Sequence, residues 1–231
     1  MTVVLAIVCR DGVVMGSDSQ ITDKGRGMTY PAEKLHPLGT AAAWGGSGAR
    51  AVLTDVERCF NENSAAILEA ADIGRALQGH VLPILRHHYD TFIADVPGDE
   101  GGGTPSAYVM AAGWRNGEPW ILEITPSGMI GHYADIGFHA IGSGAAMAQQ
   151  AGSLLSHFNL GKRSLRFGCA AVLRVLSALD LTSASVGRPF NLCRIDAEGA
   201  HHLSEEEIEA VSVVVRQWED AEQAVIGDIF D

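Results

Sequence analysis

The sequence is short of positive charge, of cysteine and of long apolar runs, and each shortage removes a class of protein. Lys and Arg number 16 against 28 Asp and Glu, a formal net charge of −12. A chain this acidic repels phosphate, which sets nucleic acid aside as a partner. The four cysteines, Cys9, Cys59, Cys169 and Cys193, lie far apart and no two have CxxC spacing. They make neither a disulfide scaffold nor a zinc pattern, and read as buried free thiols in a reducing compartment. No stretch approaches the ~18–20 apolar residues of a membrane span. Met1 to Cys9 is apolar, yet no basic segment precedes it and no small-residue cleavage site follows, so it does not read as a signal peptide. The expectation is a soluble, cytoplasmic protein with no membrane partner. Charged residues make up 19 % of the chain, below the usual quarter, and so sparse a solvated surface points to burial against other subunits.

Several chemical motifs are missing as well. His87-His88 and His201-His202 do not have the i, i+4 spacing with carboxylates that a metal site needs. Gly45-Gly46-Ser47-Gly48 is not followed by the Lys-Ser/Thr of a phosphate loop, and there is no GxSxG elbow. No metal and no cofactor is expected. The sequence contains no internal repeat, low-complexity tract or linker, so residues 1–231 read as a single domain.

Among the elements that can be read, Val3 to Cys9 is a β-branched run, followed by Asp11-Gly12 and a second run from Val13 to Asp18. A DG pair between strand-like runs predicts a hairpin. It would bring Asp18 near the start of the first strand. Residues 22–33 read as a loop or short irregular hairpin. Gly39 to Trp44 reads as a strand, broken by Gly45-Gly46-Ser47-Gly48 before a helix carrying Val52, Leu53, Val56 and Phe60. A second helix spans about Asp72 to Tyr89, with a kink expected at Pro83. Residues 95–106 form the clearest loop. Strands are predicted at Ala107–Trp114, Trp120–Ile124 and Met129–Ile141, helices at Ala145–Phe158 and about Leu165–Leu179, and a strand at Phe190–Ile195. Ser204 and Glu207 make a capping box that opens a last helix, about 204–230. Its stripe is Ile208, Val211, Val215, Trp218, Val225 and Ile229. Blocks of strands and helices without regular βαβ alternation imply an α+β fold of packed antiparallel sheets with helices outside.

The chemistry concentrates near the N-terminus. Thr2 follows Met1, whose removal is favoured before a small residue. A freed α-amine has a reference pKa of ~7.7–8 and can serve as general base for the hydroxyl of the same residue. A buried lysine beside it, such as Lys34, would keep the amine neutral and basic, and an aspartate, such as Asp18, would hold that lysine charged and oriented. Gly45, read at a strand end, offers a backbone N–H to a developing oxyanion. Each feature is commonplace alone; their order and spacing are not.

The stretch TVVLAIVCRDGVVMGSDSQIT, followed by EKL and then AAAWGGSGARAVL, resembles the N-terminal third of proteasome β subunits. It is similar also to the bacterial relatives HslV, Anbu and the betaproteobacterial proteasome homologue. The resemblance covers about residues 2–199 and is most specific in the first 55 and around 140–150. It implies a four-layer αββα sandwich of the N-terminal-nucleophile hydrolase type. It matches Thr2 to the nucleophile, Asp18 and Lys34 to the supporting acid and lysine, and Gly45 to the oxyanion glycine. Ser143, in Ile141-Gly142-Ser143-Gly144, takes the place of the serine near the N-terminal amine. Ile21, Ala32, Ala43 and Ser47 would line the main specificity pocket, and their small or aliphatic character favours a hydrophobic substrate side chain.

Two departures narrow the comparison. Asp180 has Ser183 three residues on, but the family pattern of an Asp with a Ser three residues later, directly ahead of the Gly, is not kept at Gly187. Aligning Gly187 puts Ser183 at the Asp position and Val186 at the Ser position. The last helix is also absent from HslV in this form. Both favour the minor bacterial branches. The implied activity is threonine-type endopeptidase hydrolysis of peptides or proteins through an acyl-enzyme on Thr2. The implied partners are identical subunits in a hexameric or heptameric ring, stacked as a double ring, with an ATP-dependent unfoldase as the accompanying class. The alternatives are an amidohydrolase of the same chemistry acting on a small amide, and a ring-forming scaffold subunit. Against the scaffold stands the lack, ahead of Thr2, of the helical extension that fills the cleft of proteasome α subunits.

Overall fold

Val3 to Cys9 is apolar at every position because both faces of its strand are covered. In the computed structural model, which describes residues 2–23, 28–94, 103–184 and 186–230, β1 (Val4–Cys9) pairs antiparallel with β2 (Gly12–Ser17), from Val4↔Ser17 to Cys9↔Gly12. Leu5, Ile7 and Cys9, with Val3, point to one packed layer. Val4, Ala6 and Val8 point to another. Period-two alternation therefore separates two cores and leaves no polar face.

The first sheet has the order β10-β1-β2-β11-β12 and the second β5-β6-β7-β8-β9. The remaining strands of the first are β10 (Phe138–Ile141), β11 (Asn191–Asp196) and β12 (Gly199–His202). The second is built from β5 (Leu35–Leu38), β6 (Ala42–Gly48), β7 (Ala107–Arg115), β8 (Glu118–Ile124) and β9 (Ile130–His132). β3 (Gln20–Asp23) and β4 (Met28–Pro31) form a separate hairpin. Helices α1 (Arg50–Glu69) and α2 (Ile73–Asp90) pack outside the second sheet through Val52, Val56, Phe60, Leu77, Val81 and Leu85. Helices α3 (Ala145–Leu155), α4 (Leu165–Thr182) and α5 (Glu205–Phe230) cover the first. Met15, Leu35, Met110, Ile121 and Cys193 fill the space between the sheets. The layers run α, β, β, α, as expected.

The strand expected to end at Trp44 continues through Gly48. Its glycines belong to the strand because neighbours press on it. A Cβ at Gly46 would lie 2.3 Å from Leu53 of α1, and one at Gly45 would lie 2.8 Å from Val4 of the facing sheet. The single strand expected over Met129–Ile141 is two, β9 and β10, and they belong to different sheets. Residues 22–33 include the outer part of the β3–β4 hairpin, and the polar β12 had no apolar pattern to mark it. Helix α2 carries Pro83 within it and continues to Asp90. Of the loop predicted at 95–106, residues 95–102 lie outside the described residues.

The capping box forms as read: Ser204 N–H donates to Glu207 Oε2 at 2.9 Å, and Glu207 N–H to Ser204 Oγ at 3.2 Å. Ile208, Val211, Val215 and Trp218 then pack on the core. The stripe outlasts the surface available to it, since Val225 and Ile229 are 55 % and 66 % exposed. No helix among the described residues is long and apolar enough to cross a membrane.

Cys9, Cys169 and Cys193 are buried free thiols, and Cys59 is half-buried. Burial pushes the first three up to about 12, about 11 and about 12, far above the pH of ordinary labelling, so the reactive thiolate is scarce. A disulfide-exchange reagent at pH 8 is expected to modify Cys59 in the native protein and all four thiols only after unfolding. Rapid native reaction of all four would contradict this core.

Candidate active site

The β1–β2 register decides where the site forms. With Val4 opposite Ser17, the next residue out on each side is Val3 and Asp18. Val3 N–H donates to Asp18 Oδ1 at 2.9 Å, and Asp18 N–H donates to Val3 O at 3.3 Å. The second carboxylate oxygen accepts from Gln20 N–H at 3.1 Å. Lys34 enters from the residue before β5. Its Nζ lies 2.8 Å from both Asp18 oxygens and 2.7 Å from Gln20 O. Asp18 is wholly buried and Lys34 is 6 % exposed. Burial draws the Lys34 ammonium below the usual lysine range, while the hydrogen bond and charge of Asp18 pull it back up.

The third element is the turn between β10 and α3. Thr2 N donates to Ser143 Oγ at 3.1 Å, and Gly144 N–H donates to Thr2 O at 3.1 Å. Gly142 has φ +95°, and a Cβ there would sit 2.2 Å from Thr2 O. Both the backbone angle and the close approach demand glycine.

Thr2, Lys34 and Ser143 open onto one cleft of about 570 Å³, which Ile21, Ala32 and Ser47 also line. Asp18 lies beneath it, against Lys34. Three expected members, Ala43, Gly45 and Ser183, fall elsewhere. Ala43 points into the layer between the sheets, because alternate residues of β6 face opposite ways; Trp44 and Gly46 line the cleft in its stead. Gly45 is in mid-strand and not at a strand end, opposite Leu35 on one side and Met110 on the other. Ser183 is the C-terminal cap of α4; its N–H donates to Leu179 O at 2.9 Å and its carbonyl accepts from Val186 N–H at 3.2 Å. It is not among the cleft residues, although its segment touches the site through Gln20, whose Nε2 donates to Ala184 O at 2.9 Å. Ser185 lies outside the described residues.

Sequence reasoning missed Tyr30, Glu33, His36, Arg50, Thr54 and Glu57 in the cleft wall. A signal existed for part of it. Arg50, Leu53, Thr54 and Glu57 follow the i, i+3, i+4, i+7 spacing of one helix face, adjacent to the face that buries Val52, Val56 and Phe60. His36 stacks on Trp44 with ring centroids 4.9 Å apart, and its Nδ1 is 3.9 Å from Glu57 Oε1. The wall is therefore charged as well as apolar, so the hydrophobic preference read from the small residues describes only part of it. Among the described residues no three of His, Cys, Asp and Glu converge to hold a metal ion.

Two packed antiparallel sheets between helix layers, with the N-terminal residue of the central hairpin set in a cleft, define the N-terminal-nucleophile hydrolase sandwich. A family model described as proteasome subunit matches residues 2–166, and the chain belongs to that family. It is 24 % identical over 238 residues to the proteasome subunit beta of Mycolicibacterium vanbaalenii, which covers 91 % of this chain and 70 % of that one. Among solved structures it is similar to Anbu from Hyphomicrobium sp., at 18 % identity and a TM-score of 0.72, covering 99 % and 98 % of the two chains. It is similar also to Anbu (ancestral beta-subunit) from Yersinia bercovieri, at 15 % identity and a TM-score of 0.73 with the same coverage.

Because Asp18 and Lys34 are both buried, removing one strands the other. Lys34→Ala is expected to destabilise the fold by about 3–5 kcal/mol, and the double variant Asp18→Asn/Lys34→Met to recover most of that loss. Denaturant unfolding of the three proteins checks it; a Lys34→Ala protein as stable as the parent would refute a buried pair.

Proposed function

We propose that the protein is a threonine-type peptidase subunit in which Thr2, freed by removal of Met1, is the nucleophile. The observation that carries this reading is the buried Lys34–Asp18 pair bonded to Val3 N–H, the first amide after Thr2, with Ser143 Oγ on Thr2 N. The arrangement fixes the backbone on both sides of Thr2. It also sets a cation beneath the cleft, where it favours the neutral, basic form of a free amine.

On this reading the Thr2 amine takes the hydroxyl proton as Oγ attacks the scissile carbonyl. Gly45, the oxyanion donor assigned by the family resemblance, is paired within the sheet and does not line the cleft; a backbone N–H of the Gly46–Gly48 segment, which does line it, stabilises the oxyanion that develops. The amine returns the proton to the leaving amine, which departs and leaves an acyl ester on Thr2. Water, activated by the same amine, releases the acid. Ser143 orients the amine, Ser183 supports the segment beside Gln20, and Ile21, Ala32 and Ser47 face the substrate. No metal or cofactor takes part in these steps.

We further take residues 1–231 as one domain that assembles with identical copies into a cytoplasmic hexameric or heptameric ring, doubled by stacking and served by an ATP-dependent unfoldase. Family membership supports self-assembly. Light scattering at micromolar protein is expected to give the mass of a multi-subunit ring; a monomer would exclude this assembly.

With Met1 attached, the Thr2 nitrogen is an amide and cannot accept a proton. The loss is roughly 10²–10⁴-fold in general-base terms. Intact-mass analysis is expected to show loss of one methionine. An epoxyketone that bridges hydroxyl and amine is expected to label the processed form alone. Equal peptide hydrolysis with and without Met1 would end the proposal, and turnover confined to small amides would redirect it to an amidohydrolase.

A further inference from the structure

A second pocket, of about 410 Å³, lies across the Ser47–Ser143 saddle from the main cleft; Ser47, Gly48 and Ser143 line both. Its other walls include Tyr108 of β7, Glu123 of β8 and Ala145 of α3. Glu123 is the one carboxylate among its described lining residues, and no Lys, Arg or His joins it there. The carboxylate is 7 % exposed, and its Oε2 is hydrogen-bonded to His139 Nε2.

The imidazole lies flat on Tyr133, with centroids 3.5 Å apart and planes 9° apart. Its Nε2 holds Glu123 Oε2, and its Nδ1 is buried without a partner among the described residues. The pair orients the carboxylate at the pocket wall. A nearly buried carboxylate with one imidazole partner, and with no lysine or arginine among the described lining residues, is stabilised by an arriving cation.

We propose that this pocket is a subsite for a cationic side chain, lysine or arginine, on the residue that follows the scissile bond. Glu123 recognises the cation and His139 positions Glu123. The assignment rests on the peptidase reading, in which the main cleft holds the residue on the acyl side and Thr2 acts between the two pockets. His139 also stands three residues ahead of Gly142 on β10, so the same pair ties the second sheet to the strand that delivers Ser143.

The test uses the processed protein and internally quenched peptides identical except for the residue after the cleaved bond, which is Lys, norleucine or Glu. One charge-assisted hydrogen bond corresponds to about tenfold or more in kcat/KM. The Lys peptide is expected to exceed the norleucine peptide by about that factor, and the Glu peptide to be poorest. In Glu123→Gln the Lys-to-norleucine ratio is expected to fall to about one. Tyr108 is 41 % exposed on the wall, so Tyr108→Lys changes the charge of the pocket with little burden on the fold and is expected to shift preference towards Glu. A ratio near one in the parent, or a lysine preference that survives both substitutions, overturns the subsite while the peptidase stands. If no peptide is cut, calorimetry with Nα-acetyl-lysinamide and Nα-acetyl-norleucinamide decides separately. Lysine-selective binding by the parent and not by Glu123→Gln supports the pocket although the peptidase reading fails; equal or absent binding overturns it.

Discussion

The Lys34–Asp18 pair is the constraint around which the cleft is arranged. A charge pair without solvent is expensive, and it persists where further hydrogen bonds satisfy the remaining atoms. Here Val3 N–H, Gln20 N–H and Gln20 O do so. Those partners come from the residue before β1 and from the start of β3, and Asp18 itself follows the end of β2, so satisfying the pair fixes the relative position of three strands. The chain cannot place Lys34 correctly without also placing Thr2, two bonds' reach from Val3 N.

A second constraint works from the opposite side. The Gly142–Gly144 turn receives the Thr2 nitrogen on Ser143 Oγ and the Thr2 carbonyl on Gly144 N–H, and the absence of a side chain at Gly142 permits the approach. A buried charge pair on one flank and a serine turn on the other hold the same residue. Neither needs a long side chain to reach across the cleft, which leaves the space above Thr2 open between Trp44 and Ser143.

How much of this was legible in the sequence follows from distance along the chain. The hairpin from Val3 to Asp18 was readable because its turn and its alternation are local, and so was the capping box at Ser204. Thr2, Asp18, Lys34 and Ser143 came together as expected, on the strength of family resemblance; nothing in spacing alone brings residue 143 to residue 2. Ala43 was misplaced by a one-residue facing error on β6, which period-two alternation makes total. The glycines at 45–48 read as a break because their cause, Leu53 on one side and Val4 on the other, lies outside the local window. The Glu123–His139 pair was invisible for the same reason: its partners belong to different sheets and are joined only when the sandwich closes. The crossing between β9 and β10 was lost because Met129–Ile141 read as one strand.

The two ends of the chain live in opposite environments. Thr2 sits at the mouth of the cleft with its nitrogen on Ser143, whereas Phe230 at the tip of α5 is 78 % exposed. On the proposed function, a peptide fused ahead of Thr2 would occupy the cleft that Thr2 lines. The same peptide fused beyond α5 would extend from a helix end that the body of the protein does not cover. Handles for purification, fluorophores or surface attachment therefore belong at the carboxyl end, and an amino-terminal fusion doubles as a removable plug for the cleft.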